Sequence, residues 1–106
     1  MTAYVIANVE VTDKDAYAAY ISLASASVAA FGGQYIARGG EVTVLEGNKN
    51  WHRVVILAFP SLARAQEWYA SPDYAAARAI RQRAARSEIV FLPGMPGATG
   101  AAGAAG

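Results

Sequence analysis

The chain is 106 residues long, and 55% of them are hydrophobic by type, but 25 of these are alanine. The remaining third of larger apolar side chains suits one compact domain with a modest core, and the length argues against two domains. Zero cysteines exclude disulfides, thiolate metal sites and thiol nucleophiles, and the single histidine, His52, excludes a multi-histidine metal site.

No apolar run approaches the roughly 18 residues that a membrane span needs. No basic stretch followed by an apolar one marks a signal peptide. A cytoplasmic protein is therefore expected, with neither metal nor cofactor and no membrane partner. The net charge of +1 is unevenly placed: residues 1–46 carry five acids and two bases, residues 47–106 three acids and seven bases. Arg78, Arg81, Arg83 and Arg86 occur with no acid between Tyr74 and Arg86. A run of this kind reads first as a solvated helix face favouring the C-terminal end of the helix dipole, rather than a nucleic-acid patch.

Residues 3–10 alternate as a strand. Ala3, Val5, Ala7 and Val9 form a small apolar face suited to packing on helices, and Tyr4, Ile6, Asn8 and Glu10 form a mixed one. Thr12, with Asp15 three residues on, resembles a capping box and opens a helix. Tyr17, Tyr20, Ile21, Ala24, Val28 and Phe31 recur at helical spacing, and Gly32-Gly33 ends it in the left-handed conformation. Residues 33–38 and 41–46 both read as extended, joined by Gly39-Gly40 as a bulge in one long bent strand. Gly47-Asn48-Lys49-Asn50 reads as the hairpin turn, and Arg53 to Phe59 as the returning strand.

Ser61 is the N-cap of a second helix. Ser71-Pro72-Asp73 repeats a start signal, so residues 62–86 are two helical pieces with a kink near Ser71. Ser87 to Leu92 is the last strand. The order β-α-β-β-α-β, with two crossover helices on an antiparallel sheet, is the ferredoxin-like α+β arrangement. It spans residues 1–92. Residues 93–106 form a low-complexity tail with glycine every third residue, too short for a collagen helix and expected to be disordered.

The helices cover one face of such a sheet. The other face is expected to carry Tyr4, Ile6, Asn8, Tyr35, Val54, Ile56 and either Val90 or Phe91, too apolar for water. A symmetric homodimer, two sheets face to face, is the simple solution.

Several strings carry a resemblance: Gly32-Gly33, Arg38-Gly39-Gly40, Leu45-Glu46-Gly47, Arg53-Val54-Val55-Ile56, Phe59-Pro60-Ser61, Trp68-Tyr69, Ser71-Pro72-Asp73-Tyr74 and Arg78. From about Tyr4 to Leu92 the chain resembles the bacterial family called domain of unknown function 1330. The resemblance implies a dimeric α+β barrel and no established activity. Two departures stand out: Trp51 is displaced from the position that the family's loop tryptophan usually takes, and Ala58 stands where an acidic or polar residue usually precedes Phe-Pro-Ser.

Three constellations are candidates for chemistry. His52 and Glu46 flank the loop, and a carboxylate beside an imidazole sets its tautomer and raises its basicity, as a catalytic pair would. Arg38 and Arg53, on strands expected to pair, suit a bidentate clamp on a carboxylate or phosphate, or an internal bridge to Glu46. Asn8, with Tyr4 and Tyr35, could orient a carbonyl or phenol, or bond across a dimer. Trp68, Tyr69 and Tyr74 are at packing positions, and Trp68 is also a pocket candidate. There is no phosphate loop, no Gly-x-Gly-x-x-Gly and no Gly-x-Ser-x-Gly. A homodimer that binds a small organic ligand is the leading expectation. A cofactor-free enzyme using His52, Asn8, Tyr35 and Arg53 is the rival, since similar dimeric barrels include monooxygenases, isomerases and cyclases. A structural or regulatory dimer, its arginines neutralised by protein carboxylates, is the third reading.

Overall fold

The structure is a computed structural model and describes residues 1–95. Its elements are β1 (Ala3–Val11), α1 (Lys14–Ala30), β2 (Gln34–Arg38), β3 (Arg53–Phe59), α2 (Leu62–Ala70), α3 (Pro72–Ala84) and β4 (Ala85–Pro93). The strands form one antiparallel sheet in the order β2-β3-β1-β4. This is the expected ferredoxin-like α+β fold, its second helix broken in two.

Local chemistry explains the breaks. The Asp13 carboxylate accepts from the Ala16 amide and caps α1, so the cap lies one residue after Thr12. Gly32, at φ 77°, ends that helix where a side chain would be strained. Ser61 caps α2 through the Arg64 amide, and Ser71 caps α3 through the Tyr74 amide, with Pro72 in the first turn.

One expected element is absent. Residues 41–46 do not form a strand, and Val42, Val44 and Leu45 stand in solvent, Leu45 at 94% exposure. A run of β-branched residues becomes a strand only beside another strand, and residues 47–52, which would lie opposite it in the expected hairpin, are not a strand either. The bulge is displaced as well. Tyr35 pairs with Leu57 and Ala37 with Ile56, so Ile36 is the extra residue, four positions before Gly40.

The register assigns the two faces of the sheet. Val5 lies between Leu57 and Phe91, Ala7 between Val55 and Ile89, and Val9 between Arg53 and Ser87. This face meets the helices. Val5, Leu57, Phe59, Ala24, Val28, Ala65, Trp68, Tyr74 and Ala77 form the main core cluster. The many alanines let the helices lie close. The opposite face carries Tyr4, Ile6, Asn8, Val54, Ile56, Val90 and Leu92, with Val90 55% exposed and Leu92 50%. Phe91 faces the helices, where it meets the Tyr69 ring edge-on. Tyr35 was expected on the open face and lies instead on the helix face, because it pairs with Leu57. Of the glycine-rich tail, residues 96–106 lie outside the described residues.

Candidate functional site

A cavity lies between the helix face of the sheet and the helices. The sheet contributes Val5, Ala7, Val9, Tyr35, Arg38, Arg53, Val55, Leu57 and Ile89; the helices contribute Tyr17, Tyr20, Ile21, Trp68, Tyr74 and Arg81. The cavity volume is about 40 Å³, room for about three waters or one small organic group.

The bulge at Ile36 brings two of these residues together. Tyr35 and Arg38 would face opposite ways on a regular strand, three residues apart. The extra residue returns both to the helix face. The Arg38 guanidinium then lies 4.3 Å from the centre of the Tyr35 ring, and its Nη1 donates to Ser25 Oγ at 3.5 Å. Arg38 pairs with Val55, two residues from Arg53, so the two arginines are diagonal neighbours on adjacent strands.

Arg53 lies 5.9 Å from the Tyr17 ring centre, and its Nε is buried without a hydrogen-bond partner. Its guanidinium lies against Gly39, in the space that a Cβ there would need. Arg81 on α3 is buried, and its Nε donates to the Tyr74 hydroxyl at 3.4 Å. The ion pairs among the described residues are Lys49–Glu88, Arg64–Glu67 and Arg86–Glu10. None of them involves Arg38, Arg53 or Arg81.

The phenols do not neutralise these cations. Burial raises the pKa of Tyr17 above its ordinary 10.0, although Arg53 pulls the other way. Burial also raises Tyr20, and the neighbouring Tyr74 hydroxyl, 2.9 Å away, adds to the effect. Both are neutral hydroxyls near pH 7. The Trp68 indole lies at the apolar end, 4.3 Å from the Tyr74 ring centre and 5.2 Å from that of Phe59, and its N–H donates to Ser27 Oγ at 3.0 Å.

The remaining sequence candidates lie elsewhere. Asn8 is on the open face, and both ends of its amide are taken by the loop backbone. Nδ2 donates to the Asn50 carbonyl at 3.0 Å, and Oδ1 accepts from the His52 amide at 2.8 Å. Asn8 therefore anchors the loop. His52 shares a shallow open groove with Asn8, Glu10, Lys49, Asn50, Arg86, Ser87 and Glu88. Glu46 lies apart from it, in an exposed hollow with Val42, Val44, Leu45, Trp51 and Val54. The His52–Glu46 pair does not form, because the loop is not the narrow hairpin that would have placed them side by side. Tyr4 lines none of these hollows. The proposed set of His52, Asn8, Tyr35 and Arg53 is split by the sheet onto two faces.

Sequence reasoning missed Tyr17, Tyr20, Ser25 and Arg81 as site residues. A signal for Arg81 existed: it stands seven residues after Tyr74, two helical turns on the same face. Among the described residues no group of three or more metal-ligating side chains gathers, and no helix is long and apolar enough to cross a membrane.

Sheet order, helix placement and an apolar cavity tipped by arginines define a ferredoxin-like α+β protein. The chain belongs to the family described as Domain of unknown function (DUF1330), whose model matches residues 2–95. It is similar to a protein of unknown function from Rhodopseudomonas palustris, with 25% identity over 89% of this chain and 82% of that one, at a TM-score of 0.73. It also shares its fold with a dimeric ferredoxin-like protein of unknown function from Jannaschia sp. CCS1 (12% identity, 89% and 100% covered, TM-score 0.72). Another neighbour is SnoaB, a cofactor-independent oxygenase from Streptomyces nogalater (11% identity, 89% and 93% covered, TM-score 0.62). No curated protein matches the chain in sequence.

Proposed function

We propose that this chain is a homodimeric small-molecule-binding protein whose ligand occupies the cavity between sheet and helices. The observation that carries this reading is the pair Arg38 and Arg53, lining an apolar cavity with no carboxylate partner. Arg53 is half-buried with its Nε unpartnered, and the exposed Arg38 stands at the rim, so both have donors to offer a ligand entering from solvent. The purely structural reading requires these arginines to be neutralised by protein carboxylates, which does not describe their surroundings.

The dimer is supported by the open sheet face, where Val90 and Leu92 are half exposed beside Ile6 and Ile56. An apolar sheet face of this kind calls for a cover, and a second copy supplies one by symmetry. The dimeric neighbour with the same fold agrees with this.

The cofactor-free enzyme reading, prompted by the oxygenase neighbour, ranks second. The cavity lining holds no carboxylate and no imidazole, and burial keeps Tyr17 and Tyr20 protonated. A base for proton abstraction is thus missing from the place where a small substrate would be enclosed.

A thermal-shift screen of small aromatic and carboxylic compounds tests the binding reading. Ligands should raise the melting temperature of the wild type and not that of Val55→Phe, whose ring fills the cavity. A screen in which no compound shifts the wild type overturns it. Light scattering should give twice the chain mass, and a monomer removes the dimer.

A further inference from the structure

We infer that residues 41–51 form an arm that closes over the partner copy, burying Val42, Val44, Leu45 and Trp51 against it at the open sheet face. This rests on the homodimer reading and adds the element that clasps the two copies. Within one chain these four side chains stand exposed. They share an open hollow with Val54 and belong to neither core cluster.

The arm is tied down at both ends. At its start the Gly39 amide donates to the Val54 carbonyl at 2.9 Å. At its end the Asn8 amide holds the backbone of Asn50 and His52, and Lys49 pairs with Glu88 on β4. The Lys49 ammonium also lies 5.5 Å from the centre of the Trp51 ring. Holding a segment in one conformation costs roughly 1–2 kcal/mol of backbone entropy per residue. Apolar burial offsets that cost in a packed segment, and the middle of this arm has none. A covering molecule supplies it.

Three observations make that cover a second copy of the chain. Val54 belongs to the open face, on the rung of Asn8, and also lines the hollow of the arm. Any molecule seated on that face therefore meets the arm. The face itself presents about a dozen residues from the four strands, short of the roughly 20–30 a side that a stable interface uses. Adding the arm brings the count into that range. In a two-fold dimer one patch serves both copies, so the arm beside one open face arrives at the other. Glu41 and Glu46 flank the apolar run, which disfavours an anionic membrane surface as the cover.

The chain has two tryptophans, Trp51 in the arm and Trp68 in the core, so indole fluorescence reports on the arm. Acrylamide quenching and analytical ultracentrifugation of the full chain test the inference. Trp51 should be shielded in the dimer and freely quenched in the monomer, and Trp51→Phe should remove that difference. Leu45→Ser should raise the dimer dissociation constant about a hundredfold, since symmetry removes two buried leucines. Leu45→Met should keep most of the affinity. Leu45 lies outside the core of its own chain, so both variants should fold, as circular dichroism checks. A dimer whose affinity ignores Leu45→Ser, or whose Trp51 is quenched as freely as in the monomer, overturns the arm and leaves the dimer reading standing. A Trp51 shielded equally in monomer and dimer also overturns it, because the cover then lies within the chain. A wild type that is monomeric at every concentration removes both.

Discussion

The guanidinium of Arg38 stacks 4.3 Å from the centre of the Tyr35 ring, although the two residues are three apart on one strand. Only a bulge permits this, because strict alternation sends positions three apart to opposite faces. The inserted residue, Ile36, turns Arg38 from the open face into the cavity. Deleting Ile36 should therefore restore regular alternation and keep the stack, since Tyr35 and Arg38 would then stand two apart on one face. A crystal structure of the folded variant checks this, and Arg38 on the open face would contradict the assigned register.

Gly39 is held at φ 73°, and a Cβ there would meet the Arg53 guanidinium. Gly39→Ala should therefore destabilise the protein by about 1–3 kcal/mol. Gly40→Ala is the control, since no atom lies within 4 Å of its Cβ position and its φ is not left-handed. Urea unfolding of the two variants should separate them clearly, and equal midpoints would remove the role assigned to Gly39.

Tyr74 is fully buried, and its hydroxyl joins Tyr20 at 2.9 Å and Arg81 at 3.4 Å. Tyr74→Phe strips Arg81 of that acceptor and should cost about 1–3 kcal/mol. A double-mutant cycle with Arg81→Met should show that the losses are not additive. Additive losses would mean that the contact contributes nothing.

Asn8→Ala frees the Asn50 carbonyl and the His52 amide from their shared anchor. Stability should fall by about 0.5–1.5 kcal/mol, and the His52 amide should exchange its hydrogen faster. Ligand-induced thermal shifts should persist, because Asn8 faces away from the cavity. Loss of those shifts in a folded variant would place the ligand on the other face.

Alkaline titration reports on the buried phenols. Burial raises Tyr17 and Tyr20 above the ordinary value of 10.0, so the folded protein keeps protons that the unfolded chain releases. The stability linked to them is complete below pH 10 and declines as the pH rises beyond it. Absorbance at 295 nm should therefore show fewer than the chain's six tyrosines ionising before unfolding. Six reversible ionisations near pH 10 would contradict their burial.

Much of the fold was legible in the residues because its signals are local. The alternation of residues 3–10, the serines at 61 and 71, Pro72 and Gly32 each act on neighbours within a turn or two, so their effects need no knowledge of the rest of the chain. The segment 41–46 misled for the complementary reason: its β-branched run is a strand pattern, but the segment expected to pair with it, residues 47–52, does not form a strand.

The candidate site was legible in its residue types and not in its assembly. Two arginines on neighbouring strands, one histidine and no cysteine bounded the chemistry before any contact was known. Face was the quantity beyond reach, because period-two alternation assigns faces only until a residue is inserted, and nothing local marks Ile36 as the insertion. By itself, then, the sequence determined the order of elements, their caps and the absence of thiol chemistry, all matters of short range. Only the tertiary structure decided that Arg38, Arg53 and Arg81 meet tyrosines rather than carboxylates, and that His52 and Asn8 lie across the sheet from them. Those relationships depend on strand register and on helix packing between residues far apart in the chain.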